Sequence, residues 1–93
     1  MEVVRLRITG LVQGVGYRAW AMRRAQALGL TGWVRNRLDN SVELLAGGDP
    51  ATLRQLAADC RAGPRSARVA AVEERPESDA GPLPSPFTQW PTA

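Results

Sequence analysis

Gly10-Leu11-Val12-Gln13-Gly14-Val15-Gly16-Tyr17-Arg18 joins two segments of different period. Before it, Val4, Leu6 and Ile8 alternate with Arg5 and Arg7 over about Glu2 to Thr9, the pattern of a strand with one buried and one wet face. After it, Ala21, Ala25 and Leu28 recur at helical spacing, so a helix opens at about Arg18 and stops at Gly29. The stretch itself holds three glycines within seven residues. Such a loop turns tightly and comes close to another group. Where a loop feeds a helix N-terminus, N–H groups gather in one concavity and the helix dipole adds positive potential. Arg18 stands there against a dipole penalty of roughly 0.3–1 kcal/mol, with no acid near it in sequence. Arg18 and the loop amides together read as a receptor for a small, highly charged anion, phosphate above all.

Outward from this loop, Trp33 to Leu38 alternates again, with Val34, Asn36 and Leu38 inward and Trp33, Arg35 and Arg37 outward. An Asp39-Asn40 turn leads into Val42, Leu44 and Ala46, which makes a hairpin. Asp49-Pro50 is an N-cap followed by proline at the first helical position. Leu53, Leu56, Ala57 and Cys60 form the apolar stripe of a second helix that ends before Gly63-Pro64. Val69 and Val72 break strict alternation in a strand near Arg68 to Glu74, the mark of a bulge. Residues 76–86 carry four prolines and two acids and read as a surface loop. Phe87 to Trp90 opens a short last strand or tail over residues 87–93. The order strand–helix–strand–strand–helix–strand predicts an α+β, ferredoxin-like βαββαβ two-layer sandwich. Its antiparallel sheet carries both helices on one face, and residues 1–93 are expected to form a single domain.

Composition narrows the chemistry. All twelve basic residues are arginine, and the chain has no lysine and no histidine. Between Glu2 and Asp39 there are seven arginines and no acid, while the remainder carries −4 of the overall +3. The first half therefore attracts anions and the second does not. Individually most of these arginines read as solvated surface. Without lysine there is no Schiff-base chemistry and no Walker-type phosphate lysine. The loop also fits neither common nucleotide-binding glycine pattern, so no cofactor is expected. No cluster of acids or cysteines suggests a metal, and none is expected. Cys60 lies on an apolar stripe with no base to activate it, so it reads as a small core residue. A lone cysteine, no membrane-length apolar run and an N-terminus unlike a signal peptide point to a cytoplasmic protein off the membrane.

What remains for catalysis is positioning and electrostatic stabilisation, which can suffice for phosphoryl transfer. Asn36 is the one polar residue in its inward row. Its carboxamide offers both donors and an acceptor, so it can orient a water without taking its proton. Taken alone, an asparagine bonding a neighbouring loop's backbone accounts for it better.

The stretch Gly10-x-Val12-Gln13-Gly14-Val15-x-Tyr17-Arg18 resembles the signature of acylphosphatases, hydrolases of carboxyl-phosphate anhydrides. Gly32-Trp33-Val34-Arg35-Asn36 through Val42 to Gly48 resembles the family's second signature, and the likeness runs from about Glu2 to Glu74. The family usually has glycine where Asn40 stands, a departure that touches turn stability rather than chemistry. The resemblance implies that Arg18 and the amides of Gln13, Gly14, Val15, Gly16 and Tyr17 bind the phosphate, and that Asn36 positions the attacking water. It also implies metal-independent hydrolysis of an acyl phosphate to a carboxylate and inorganic phosphate, with no covalent intermediate. Gln13 is read as shaping the loop, and Tyr17 and Trp33 as packing through their side chains. The chain is expected to act as a monomer, and nucleic acid is not expected as a partner.

Two other readings stay open at this level. An open sheet face carrying Arg5, Arg7, Arg35, Arg37 and Trp33 suits an RNA-binding module, although the paired exposed aromatics of that class are missing. A domain that keeps the phosphate loop but serves only as a sensor or interaction module is the other.

Overall fold

The computed structural model describes residues 1–78 and 80–93. Asp79, inside the expected 76–86 loop, lies outside the described residues. The elements run β1 (Glu2–Leu11), α1 (Tyr17–Ala27), β2 (Thr31–Asn36), β3 (Val42–Gly48), α2 (Pro50–Ala62), β4 (Arg68–Pro76) and β5 (Thr88–Gln89). They build one sheet of order β4-β1-β3-β2-β5. Leu6 and Ile8 of β1 meet Val34, Val42, Leu44 and Ala46 on the buried face, all at 0% exposure. Tyr17, Ala21 and Ala25 of α1 and Leu53, Leu56, Ala57 and Cys60 of α2 cover that face. Each large side chain buried this way contributes about 1.5–3 kcal/mol, which is how two short helices hold to the sheet. Both caps form as their residue types require. Asp49 accepts from the Ala51 and Thr52 amides at 3.0 and 3.3 Å, and Gly29 takes φ 72° just past α1.

The first four strands pair antiparallel, whereas β5 pairs parallel with β2, Trp33 opposite Thr88 and Val34 opposite Gln89. The expected inward row of β2 is shorter than its alternation suggests. The strand ends at Asn36, and Leu38 is 85% exposed in the turn. Residues 38–40 form this turn, closed by the Arg37 amide on the Ser41 carbonyl at 2.8 Å, with Asn40 at φ 74°. Once the chain reverses there, Leu38 has no facing layer to bury against. At the far edge, β4 extends past Glu74 to Pro76.

Glycine is required where β1 meets β4. Register steps from Thr9–Ala71 to Gly10–Val69, leaving Ala70 as the extra residue of a bulge. Gly10 sits there at φ 122°, and a Cβ on it would lie 2.2 Å from the Arg68 carbonyl oxygen. This is the close approach that the glycine-rich run implied.

The opposite sheet face is a network of ion pairs. Glu43 accepts from Arg5, from Arg35 Nε at 2.9 Å and from Arg37 Nη1 at 3.4 Å, and Arg5 Nε also reaches Glu77 at 2.7 Å. Arg7 bridges Asp39 at 2.9 Å and Glu73 at 3.2 Å. Trp33 is 6% exposed and stacked by Trp90, with centroids 4.5 Å apart and planes 9° from parallel. The Arg35 guanidinium also lies 4.8 Å from the Trp33 ring centroid. Each of these four arginines thus has a carboxylate within the chain, and the aromatic surface is already covered. That leaves little of the basic, stacking platform an RNA module needs.

Two expectations follow. Gly10→Ala combines a disallowed φ with a backbone collision and should cost about 2–4 kcal/mol, read as a lowered urea midpoint; an unchanged midpoint would contradict the close approach. Burial opposes ionisation of Glu43, but Arg35 and Arg5 outweigh it and hold the carboxyl below its ordinary value. A depressed carboxylate contributes stability above its unfolded pKa of about 4.3 and loses that contribution as pH falls through the folded value. Glu43→Gln should therefore lower stability at pH 7 and flatten the acid limb below about pH 4.5, measured by thermal denaturation across pH.

Candidate active site

Strand direction builds the site. Because β3 lies between β1 and β2 and runs antiparallel to both, β1 and β2 point the same way. The loop that follows β1 and the last residue of β2, Asn36, consequently emerge at one end of the sheet. β5 is parallel to β2, so Gln89 arrives at that same end.

A cavity of about 130 Å³ opens there, lined by Val12, Gly14, Gly16, Tyr17, Arg18, Ala19, Asn36 and Gln89. Gly14 and Gly16 take left-handed φ values of 75° and 81°, and Gly16 is the N-cap of α1. Among the described residues no side chain caps this helix, and no acid stands in its first turn. The amides of Tyr17, Arg18 and Ala19 have no intrahelical acceptor, as in the first turn of any helix, and with the dipole they favour an anion in the cavity. The Arg18 guanidinium stands beside them, donating one Nη1 hydrogen bond to the Trp90 carbonyl at 3.2 Å. Its remaining N–H groups can form the planar fork that matches two phosphate oxygens.

Asn36 lines the same cavity and is 9% exposed. Its Oδ1 is buried and meets no donor among the described residues. A buried carboxamide oxygen left without a donor costs about 1–3 kcal/mol, so the site gains when a donor such as water enters beside it.

The sequence-derived candidates do not all line this cavity. Gly14, Gly16, Tyr17, Arg18 and Asn36 do; the side chains of Gln13 and Val15 are used elsewhere. Gln13 Nε2 donates to the Arg37 and Ser41 carbonyls, both at 2.8 Å, and so ties the loop to the β2–β3 turn. Val15 packs on the core, and its carbonyl accepts from Ser66 Oγ at 2.7 Å. The Tyr17 hydroxyl donates to the Cys60 carbonyl at 2.7 Å, with burial pushing its pKa well above the ordinary value. Burial likewise pushes the Cys60 thiol up to about 11, an inert thiol in the core. Val12, part of the quoted loop stretch, also joins the lining, whereas Ala19 and Gln89 do so without any local signal in their own sequence.

A larger cavity of about 310 Å³ lies on the ion-paired face between Arg5, Arg7, Arg75 and Glu73. It lacks helix-terminal amides and its guanidinium groups are largely engaged by carboxylates, so the smaller cavity is the better anion site.

Fold and site together define a two-layer α+β protein with an arginine-lined cavity at the start of its first helix. A family model described as Acylphosphatase matches residues 4–88. An acylphosphatase of Nitrobacter hamburgensis is 54% identical over 76 residues, 81% of this chain and 77% of the relative. One of Rhizorhabdus wittichii is 43% identical over 88 residues, 95% and 87% of the two chains. The crystal structure of acylphosphatase from Bacillus subtilis superposes with a TM-score of 0.89 at 31% identity, covering 97% of this chain and 99% of that one. The chain belongs to the acylphosphatase family, a family of hydrolases acting on acid anhydrides.

The Gln13 bridge is testable by itself. Gln13→Leu removes two hydrogen bonds to loop carbonyls and should destabilise the fold by about 1–2 kcal/mol. It should also raise the inhibition constant for inorganic phosphate, because the loop loses its fixed distance from the turn. An unaltered inhibition constant in a destabilised variant would show that the bridge serves folding alone.

Proposed function

We propose that this chain hydrolyses acyl phosphates by direct attack of a water on a phosphate held by Arg18 and the amides of the loop from Gln13 to Tyr17. The observation that carries the reading is the pairing, in one small cavity, of a guanidinium at a helix N-terminus with a buried, donor-seeking Asn36 Oδ1. Arg18 and the amides hold the equatorial oxygens and neutralise their charge. Asn36 Oδ1 accepts a hydrogen bond from the water and aims its lone pair at phosphorus. As the new P–O bond forms, the bond from phosphorus to the acyl oxygen breaks. The electron pair leaves with the carboxylate, and the water's proton ends on phosphate. A carboxylate is a good enough leaving group to depart without an acid to protonate it, which suits a lining with no carboxylate, histidine or cysteine. Among the described residues the lining offers no carboxylate, imidazole or thiolate cluster of the kind that holds a metal.

Phosphate release from benzoyl phosphate tests this. Activity should persist in excess EDTA; a rate restored only by added magnesium or zinc would overturn the mechanism. Asn36→Ala should lower kcat strongly while leaving phosphate inhibition nearly intact, since the side chain acts on water rather than on the bound anion. Arg18→Lys should lose about 10²–10³-fold in kcat/KM, a point charge being unable to reproduce the fork. Full activity in a folded Arg18→Lys protein would remove Arg18 from the mechanism.

A further inference from the structure

In-line displacement at phosphorus has two ends, and the residues assigned above serve only one of them. Arg18 and the amides hold the centre, and Asn36 holds the entering water. The departing acyl oxygen must lie across the phosphorus from that water, and negative charge grows on it as the bond breaks.

Few lining side chains can reach that oxygen with a hydrogen-bond donor. Val12 and Ala19 are apolar, and Gly14 and Gly16 have no side chain. The Tyr17 hydroxyl is committed to the Cys60 carbonyl. Gln89 remains. It lines the same cavity, is exposed at its mouth, and its carboxamide has no hydrogen-bond partner among the described residues.

Register places it suitably. Gln89 pairs with Val34 across the parallel β2–β5 ladder, so it shares the helix-facing side of the sheet with Val34 and Asn36. One strand over and two residues back from Asn36 is a Cα separation of roughly 8 Å, from a strand spacing of ~4.8 Å and a rise of ~3.3 Å per residue. Two carboxamides at that separation can stand on either side of a phosphorus whose entering and leaving oxygens are in line. Depth also distinguishes them. The buried Asn36 suits a small water, whereas the acyl group, of any size, has room only at the mouth where Gln89 stands.

We infer that Gln89, through its Nε2–H, hydrogen-bonds the departing carboxylate oxygen of the acyl phosphate and stabilises the charge that develops there. This inference rests on the acyl-phosphate reading above. An amide suits the task because it donates without changing protonation, so no acid of tuned pKa is needed. Gln89 touches the leaving group rather than the phosphate, and it therefore acts on the rate according to how basic that leaving group is.

The test uses benzoyl phosphates substituted in the ring, from 4-methoxy (poorer leaving group) to 4-nitro (better), with wild type, Gln89→Met and Gln89→Glu. Gln89→Met keeps length and removes the donor. It should reduce kcat/KM by roughly 10-fold or more for the 4-methoxy substrate, a hydrogen bond to a charged acceptor being lost. The loss should be smaller for the 4-nitro substrate, so that rates depend more steeply on leaving group than in wild type. Gln89→Glu sets a negative charge against the departing carboxylate and should be slower still. Inhibition by inorganic phosphate should not move in Gln89→Met. Equal losses across the series, unchanged rates, or a weakened phosphate inhibition in Gln89→Met would each overturn the role. If wild type released no phosphate from any of these substrates, the acyl-phosphate reading itself would fall, an outcome distinct from all of these.

Discussion

The central place of β3 is the constraint on which the site depends. Antiparallel pairing on both sides of β3 forces β1 and β2 to run in one direction, although a whole helix separates them in sequence. A strand's end and a loop's start are thereby delivered to the same edge of the sheet. Had β1 and β2 paired directly as a hairpin, Asn36 would lie at the far end from the glycine loop. The glycine loop and Asn36 meet because the helix-bearing crossover leaves a gap one strand wide, and β3 fills it.

Several contacts then turn proximity into geometry. Gly10 lets β1 run hard against the Arg68 carbonyl at a bulge, so the chain enters the loop at a fixed place. Gln13 ties the loop to the turn between β2 and β3, whose own closure fixes the end of β2. The last residues add a clamp. Trp90 stacks on Trp33, its amide donates to the Val34 carbonyl at 2.8 Å, and its carbonyl accepts from Arg18. An arginine that would otherwise sample many rotamers is oriented by a backbone oxygen, which reduces the ordering cost of binding. The proposed catalysis by position would depend on such supports, because misplacement by an ångström can cost on the order of 10²-fold in rate.

The two sheet faces divide the work. One face is apolar and supports the helices. The other is a lattice of guanidinium and carboxylate groups centred on Glu43, where the arginine excess of the segment before Asp39 meets the acids from Asp39 onward. Arg18 stands apart from that lattice at the helix N-terminus. The charge asymmetry of the sequence is thus mostly an account of how the halves pair, and only locally an account of function.

From the sequence alone came what local chemistry dictates. Alternation at Val4, Leu6 and Ile8 fixed β1 and its buried face, Asp49-Pro50 fixed the start of α2, and the break between Val69 and Val72 marked the bulge. Arg18 against an uncompensated helix dipole, beside glycines that expose amides, pointed to the place where the structure opens a cavity. Signals of that kind belong to a few neighbouring residues, which is why they can be read without the fold. Leu38 shows the limit, since alternation continued past the point where a turn ended the strand and left nothing to bury it. Tertiary structure alone decided that Asn36 Oδ1 would be buried without a donor, that Gln13 would reach across to two carbonyls of another turn, and that Gln89 and Trp90 would border the site. Each of these rests on contacts between residues on different elements of the fold, and such contacts are set by strand order and register rather than by any property of the residues taken one stretch at a time.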